Sequence, residues 1–183
     1  DSAPAFFLFY LDIDHFKIIN DSRGHQIGDL LLNQVATRLK NITTCDQFLA
    51  RLGGDEFAII YRSDAISQIA MFADRLLSAF QDPFDLGDTT EFVSCSLGIA
   101  QAPLHGEDTD VLMRNADLAL YAAKADGRRT FRFYQHSLRL AVEKRHAMTT
   151  DLRVALAAKQ FELHYQPIFN LESGRISGFE ALL

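Results

Sequence analysis

The chain opens with a nearly unbroken apolar run, Phe6-Phe7-Leu8-Phe9-Tyr10-Leu11, that closes on Asp12-Ile13-Asp14. This pattern predicts a strand over 5–13, buried on both faces, with its carboxylates emerging at the edge of a sheet. Gly24 and Gly28 then predict a break between two helices, the second starting near Gly28. Leu32, Val35, Ala36 and Leu39 give that second helix an i, i+3, i+4, i+7 core face. Strands are predicted over 47–52 and 57–61, joined by Gly53-Gly54-Asp55-Glu56, a hairpin signal in which glycine tolerates positive φ.

A helix over 65–81 follows, with Ile66, Ile69, Ala70, Ala73, Leu77 and Phe80 as its buried stripe and Asp82-Pro83 as its stop. A strand over 91–102 is expected to pair with 83–86 across Gly87-Asp88. Asp108 or Thr109 caps the next helix, which turns Leu112, Ala116, Ala119, Leu120 and Ala123 inward and stops at Gly127. A strand over 130–134 completes the order βαββαββαβ. This order predicts an α+β fold, a mostly antiparallel central sheet flanked by helices.

Beyond Gln135 the pattern changes. A helix over 137–159 carries Leu138, Ala141, Met148, Leu152 and Ala155 near heptad spacing, with Arg145 interrupting the seam. Thr149-Thr150-Asp151 is a candidate recapping point. The segment reads as a connecting rod or a short coiled coil. Two more strands, over 161–169 and 175–182, meet at a Glu172-Ser173-Gly174 turn and cannot form a domain alone.

The 183 residues allow one domain of ordinary size plus something smaller, and 48% hydrophobic residues with 15 Phe supply its core. A net charge of −6 argues against a nucleic-acid surface or an anionic membrane as partner. Any phosphate-bearing ligand must then be met by a few placed cations and metal. Cys45 and Cys95 lack CxxC or metal spacing and read as reduced thiols of a cytoplasmic protein. No apolar run is long enough to span a bilayer, and no membrane contact is expected. The abrupt start and stop at strands predict a piece of a longer chain.

Two carboxylates at a hairpin tip, Asp55 and Glu56, have no core to serve. A solvated acidic hairpin is the simpler reading of that motif by itself. The second acidic strand end changes the balance: if the first strand lies beside the hairpin, Asp12 and Asp55 converge where a hard divalent cation fits. In one continuous helix Asn20 and Asp29 would point apart, being about two and a half turns separated. A corner at the glycines can bring both onto one ligand. Lys124 and Arg128, at the end of a helix, read equally well as ordinary C-terminal cations.

Leu11-Asp12-Ile13-Asp14-His15-Phe16-Lys17, Asn20-Asp21, Gly24-His25 and Gly28-Asp29 resemble the opening of a GGDEF diguanylate cyclase domain, and Arg51-Leu52-Gly53-Gly54-Asp55-Glu56-Phe57 its signature hairpin. Ser96-Leu97-Gly98-Ile99-Ala100 and the stretch from Ala116 to Arg128 match its later blocks, so the resemblance covers about residues 5–135. It implies condensation of two GTP into cyclic di-GMP with release of pyrophosphate, dependent on Mg²⁺ or Mn²⁺. Asp12, the Ile13 carbonyl and Asp55 resemble the metal ligands, with Glu56 as an auxiliary carboxylate. Asp55 resembles the catalytic acid/base, and Lys17 would meet phosphate beside the Phe16 backbone. Asn20 and Asp29 resemble the guanine readers, which suits a base presenting N1–H and N2–H₂ donors side by side. Arg51, Gly53 and Gly54 belong to the signature at the substrate. Lys124 and Arg128 resemble the outer phosphate contacts. His25, Asp14, Asp21 and Asp117 are expected to serve structure.

Two positions depart from the pattern. Thr44 and Gln47 stand where the family's product-inhibition site has Arg and Asp, so no primary inhibitory site is expected. Arg129 stands where Asn is usual. The tail, with Tyr165-Gln166-Pro167-Ile168 and Gly178-Phe179-Glu180-Ala181-Leu182, resembles the entry of an EAL phosphodiesterase domain, Glu180 at a metal-ligand position. The implied organisation is a cyclase domain over 1–136, a linker helix over 137–160 and an EAL fragment over 161–183, too short for phosphodiesterase activity. A homodimer, an attached EAL domain and an upstream sensor are the implied partners. The alternative is a catalytically silent GTP-binding module that controls the phosphodiesterase. A palm acting on another nucleotide is disfavoured by Asn20 with Asp29.

Overall fold

The computed structural model describes residues 5–87 and 89–183, with the side chains of Glu143, Arg145 and His146 outside the description. In chain order the first elements are β1 (Phe6–Ile13), α1 (Phe16–Arg23), α2 (His25–Ile42), β2 (Gln47–Gly53), β3 (Glu56–Tyr61) and α3 (Ile66–Ser78). Then come β4 (Phe84–Asp85), β5 (Thr90–Glu91), β6 (Cys95–Ala102), α4 (Thr109–Ala125) and β7 (Phe131–Phe133). The last are α5 (His136–Ala157), β8 (His164–Phe169) and β9 (Ile176–Leu182). Two compact units divide the chain, Asp1–Arg139 and Leu140–Leu183.

In the first unit β1 takes the middle of a five-stranded sheet of order β2-β3-β1-β6-β7. It is antiparallel to β3 and to β6, and only the β6–β7 ladder is parallel. The alternation of a strand explains the two cores. Phe7, Phe9, Leu11 and Ile13 pack to one side with Leu31, Val35 and Leu39 of α2 and Ile69, Phe72 and Leu76 of α3. Leu8 and Tyr10 pack to the other with Ala116, Ala119 and Leu120 of α4. α4 approaches so closely that a Cβ on Gly98 would overlap the Ala116 carbonyl and the Leu120 amide. Asp108 caps α4, accepting from the Val111 N–H at 2.9 Å, as the sequence predicts.

Four local expectations need correction. The corner falls at Gly24 (φ 86°), and α2 begins at His25, so Gly28 lies inside the helix. α3 ends at Ser78 and is rotated: Ile66 is exposed, while Phe72 turns inward and meets the Phe9 and Tyr61 rings edge-on, each at 5.3 Å. It can stop there because Arg38 donates to the Ala79, Asp82 and Pro83 carbonyls at 2.8, 2.6 and 2.9 Å and lies 3.7 Å over the Phe84 ring. The strand expected over 91–102 is divided into β5 and β6, because Ser94 leaves the strand line to bond Asp14. β4 and β5 do pair, Phe84 with Glu91, whereas the turn position Asp88 lies outside the described residues. α5 runs unbroken through Thr149-Thr150-Asp151. The side chain of Arg145 lies outside the description. β8 and β9 pair antiparallel, and the Asn170 Oδ1 accepts from the Glu172 and Ser173 amides at 3.0 and 2.9 Å to close their turn.

His105 is a titrating point in this first unit. Its Nδ1 accepts the Gln101 N–H at 3.0 Å and its carbonyl accepts from Asn115 Nδ2 at 2.6 Å. Its ring meets Tyr134 at 5.2 Å, and Tyr134 meets His136 at 5.6 Å. Burial lowers the His105 pKa below the ordinary histidine value, and His136 lowers it further. The unfolded chain therefore binds this proton more readily. The contribution to stability is present above about pH 6.5 and is lost as pH falls below it. Urea denaturation of this chain is expected to show stability falling from pH 7.5 to 5.5, with a shallower slope in His105→Gln. Equal slopes in parent and variant would contradict that sign.

Candidate functional site

The site is assembled where three connections meet at one end of the sheet. β1 ends at Asp12-Ile13, and the chain then turns through Asp14 and His15, the latter at φ 62°, to start α1. Beside it stands the β2–β3 hairpin, whose register sets Glu56 directly across from Asp12. The Ile13 N–H donates to the Asp55 carbonyl at 3.3 Å, which fixes the hairpin tip against the end of β1. Gly54, at φ 52°, makes the tip, and Arg51 Nε and Nη2 both donate to its carbonyl at 3.1 and 2.8 Å. The end of α4 supplies Lys124, and the turn after it Arg128. Together these enclose a cleft of about 250 Å³ whose wall includes Asp12, Asp55, Lys17, Lys124 and Arg128.

The electrostatics follow from burial. Asp12 is 8% exposed, and burial pushes its carboxyl up from the ordinary range. Lys124 pulls it back through an ion pair of 2.7 Å, while Asp55 and Asp14 push it up again. Asp14 is differently placed. It is buried, accepts from Ser94 Oγ at 2.7 Å, Ser96 Oγ at 2.8 Å and the Arg129 N–H at 3.4 Å, and has Arg128 Nε at 4.0 Å. Those contacts fit a supporting role. Tyr10 shares the sheet face of Asp12, two positions upstream. Its hydroxyl is pushed well above the ordinary phenol value by burial and by its hydrogen bond with Glu56. It stays protonated. Tyr10, Ser94 and Ser96 were not singled out from sequence. The alternation of β1 is the available signal for Tyr10, and the matching block Ser96-Leu97-Gly98-Ile99-Ala100 that for Ser96; nothing local points to Ser94.

Of the other expected residues, Asn20, Asp29, Arg51, Gly53, Gly54 and Glu56 lie outside the walls of this cleft. Asn20, within α1, lies over Gly28 of α2, where a Cβ would overlap the Asn20 Oδ1. That oxygen is buried without a hydrogen-bond partner, an acceptor left open for a donor. Asp29, exposed, is the residue after Gly28. Phe16 and the Ile13 backbone do line the cleft, whereas Arg51, Gly53, Gly54 and Glu56 form or flank the tip. The Gln47 Oε1 turns back to accept the Thr44 N–H at 2.9 Å.

A divalent cation is compatible with this donor set. Among the described residues no three His, Cys, Asp or Glu side chains converge as a complete cage. Asp12, Asp55 and the Ile13 carbonyl are hard oxygen donors on one wall, and a small cation held by one or two carboxylates plus substrate phosphates needs no cage. The Lys124 ammonium already sits against Asp12 Oδ1, evidence that this carboxylate favours a positive neighbour.

The family described as diguanylate cyclase, GGDEF domain, matches residues 2–130. The chain belongs to the GGDEF family. With that membership comes a diguanylate cyclase or related role in cyclic di-GMP signalling. It is 37% identical over 178 residues to the bifunctional diguanylate cyclase/cyclic di-GMP phosphodiesterase MucR of Pseudomonas aeruginosa, covering 97% of this chain and 26% of MucR. It is 38% identical over 174 residues to the cyclic di-GMP phosphodiesterase PdeR of Escherichia coli, covering 95% of this chain and 26% of PdeR. The isolated GGDEF domain of TpbB (YfiN) from Pseudomonas aeruginosa superposes with a TM-score of 0.73 at 32% identity, over 76% of this chain and 83% of that one. The chain thus spans about a quarter of the curated relatives' length. The α+β fold with its mixed, mainly antiparallel sheet is that of GGDEF structures. No helix among the described residues is long and apolar enough to cross a membrane.

Because Arg51 holds the Gly54 carbonyl by two donors, Arg51→Ala is expected to loosen the tip selectively. Amide exchange at Gly54 and Asp55 should quicken about tenfold, a loss of about 1.4 kcal/mol locally, with global stability changed by less than about 1 kcal/mol. Unchanged exchange at the tip would show that the guanidinium does not hold it.

Proposed function

We propose that this GGDEF domain is an active diguanylate cyclase, joining two GTP molecules into cyclic di-GMP. The observation that carries this reading is the meeting of Asp12, Asp55, Lys17, Lys124 and Arg128 around one cleft. In each of two equivalent steps a ribose 3′-oxygen bonds to the α-phosphorus of the other GTP, the bond from that phosphorus to pyrophosphate breaks, and the hydroxyl proton leaves. A bound Mg²⁺ or Mn²⁺, held by Asp12, Asp55 and the Ile13 carbonyl, would neutralise phosphate charge and acidify the attacking hydroxyl. Asp55 takes the proton, with Glu56 as neighbouring carboxylate. Lys17, beside Phe16, meets the charge that develops on the phosphate, and Lys124 and Arg128 hold its outer oxygens.

Asn20 and Asp29 read the guanine. The open Asn20 acceptor supports this, since guanine offers donors where adenine would leave the acceptor unpaired. Arg51, Gly53 and Gly54 shape the tip against the substrate. One chain carries one nucleotide, so the reaction takes place between two copies facing across a two-fold axis. With uncharged Thr44 and Gln47 in place of an ion-pairing couple, we expect no primary product-inhibition site. The second unit serves as the opening of an EAL domain, with α5 as linker, in a cytoplasmic tandem protein that also carries a sensor.

A silent GTP-binding module is the second reading, favoured by the similarity to a relative named as a phosphodiesterase. Incubation with GTP and Mg²⁺, followed by nucleotide chromatography, distinguishes the two. The cyclase should yield cyclic di-GMP, and Asp55→Ala should lower the rate by about 10²–10⁴-fold. GTP binding without product, even after enforced dimerisation, would overturn the cyclase and leave the regulatory module.

A further inference from the structure

A second cleft lies in the same unit, behind the acidic one. It measures about 350 Å³ and is bounded by Leu77 and Phe80 near the end of α3, by the segment between β5 and β6, and by Arg129. Its volume is at the lower end of the range for small-molecule sites. The walls are of two kinds. Leu77, Phe80 and Val93 are apolar, and the Phe92 ring is 74% exposed. Arg129 is the only charged residue of the lining, and no carboxylate belongs to it.

Arg129 itself stands out. Its backbone is left-handed, φ 52°, a conformation that suits Asn or Gly better than a long side chain. The strain is held by its N–H, which donates to Asp14 Oδ2 at 3.4 Å. Among the described residues its guanidinium has no hydrogen bond or ion pair. A strained arginine with an uncommitted guanidinium beside an exposed aromatic ring has two things to offer a ligand. One is charge with planar donors, and the other is a flat apolar surface. The negative charge of Asp14 lies behind the wall, and it is already met by Ser94, Ser96, the Arg129 N–H and Arg128.

We propose that this cleft is a binding site for a small organic anion with a flat apolar body, and that its occupancy is transmitted to the first cleft through Asp14. The body lies against Phe92 and the Leu77–Phe80 wall, and the anionic group meets Arg129. Transmission needs no long path. Ser94 and Arg129 line the second cleft, and both bond Asp14, which lines the first and precedes the turn into Phe16-Lys17. The Ser94 carbonyl also accepts the Asp14 N–H at 2.8 Å, so Ser94 holds Asp14 by backbone and side chain together. This site stands independently of whether the domain turns over GTP.

The probe is 2-naphthoate, with neutral 2-naphthamide as its matched control, titrated into the ¹⁵N-labelled chain without nucleotide. Naphthoate should shift the amides of Ser94, Cys95 and Arg129, and with them Asp14 and His15, and bind at least about tenfold more tightly than the amide, as expected for one charge-assisted contact. Arg129→Asn suits the left-handed backbone and keeps the N–H to Asp14, so it removes the guanidinium without disturbing the turn. It should erase the preference for the carboxylate, and Arg129→Lys should restore part of it. No binding, equal binding of the two probes, or an undiminished preference in Arg129→Asn would overturn the site. Shifts confined to the second cleft, with Asp14 and His15 unmoved, would overturn the transmission.

Discussion

A strand buried on both faces cannot carry a carboxylate without compensation, and β1 ends in two of them. Isolated charge in such a place is costly and must be paired, hydrogen-bonded or neutralised. The two aspartates have found different solutions. Asp14 is enclosed by serine hydroxyls and a backbone amide, a finished structural joint. Asp12 has a single ammonium, that of the partly exposed Lys124, against the repulsion of neighbouring carboxylates, so its compensation can be exchanged for another cation. That difference separates the residue that holds the turn from the residue suited to hold a ligand's cation.

The remaining architecture serves this end of β1. The β3 register brings the hairpin tip alongside, and the Ile13–Asp55 hydrogen bond fixes it there. Close packing at Gly98 sets the distance of α4 from the sheet and thereby brings Lys124 to Asp12. The corner at Gly24 lets Asn20 fold back over Gly28, where only hydrogen leaves room for its amide. Small residues are used here as spacers, and the functional groups come from three separated stretches of chain.

Much of this was legible in the sequence. The apolar run with its acidic end gave β1 and its buried position, and glycines at 53 and 54 gave the hairpin that carries Asp55. The α4 stripe was correct at every position because its alanines leave one packing solution. Other features depend on partners distant in sequence. Phe72 displaced Ile66 from the α3 core because Phe9 and Tyr61 offered it edge-on ring contacts. α3 shortened because Arg38 satisfies the carbonyls beyond its end. Local periodicity holds no trace of either event. The break between β5 and β6 likewise reflects a bond from Ser94 to a residue at the other end of the domain. Within the site, the acidic strand end and the hairpin tip could be placed together from the chain, but the partners that engage them could not: Arg51 holds the hairpin's own Gly54 carbonyl, and Asp14 is met by Ser94 and Ser96.

The central claim is that the end of β1 and the hairpin tip hold one divalent cation together. Paramagnetic broadening by Mn²⁺, read on backbone amides in the presence of GTP, tests it without requiring turnover. The expected result is simultaneous loss of signal around Asp12 to Lys17 and Gly53 to Glu56, reversed by excess Mg²⁺. Broadening at only one of the two segments, or at neither, would contradict a shared site.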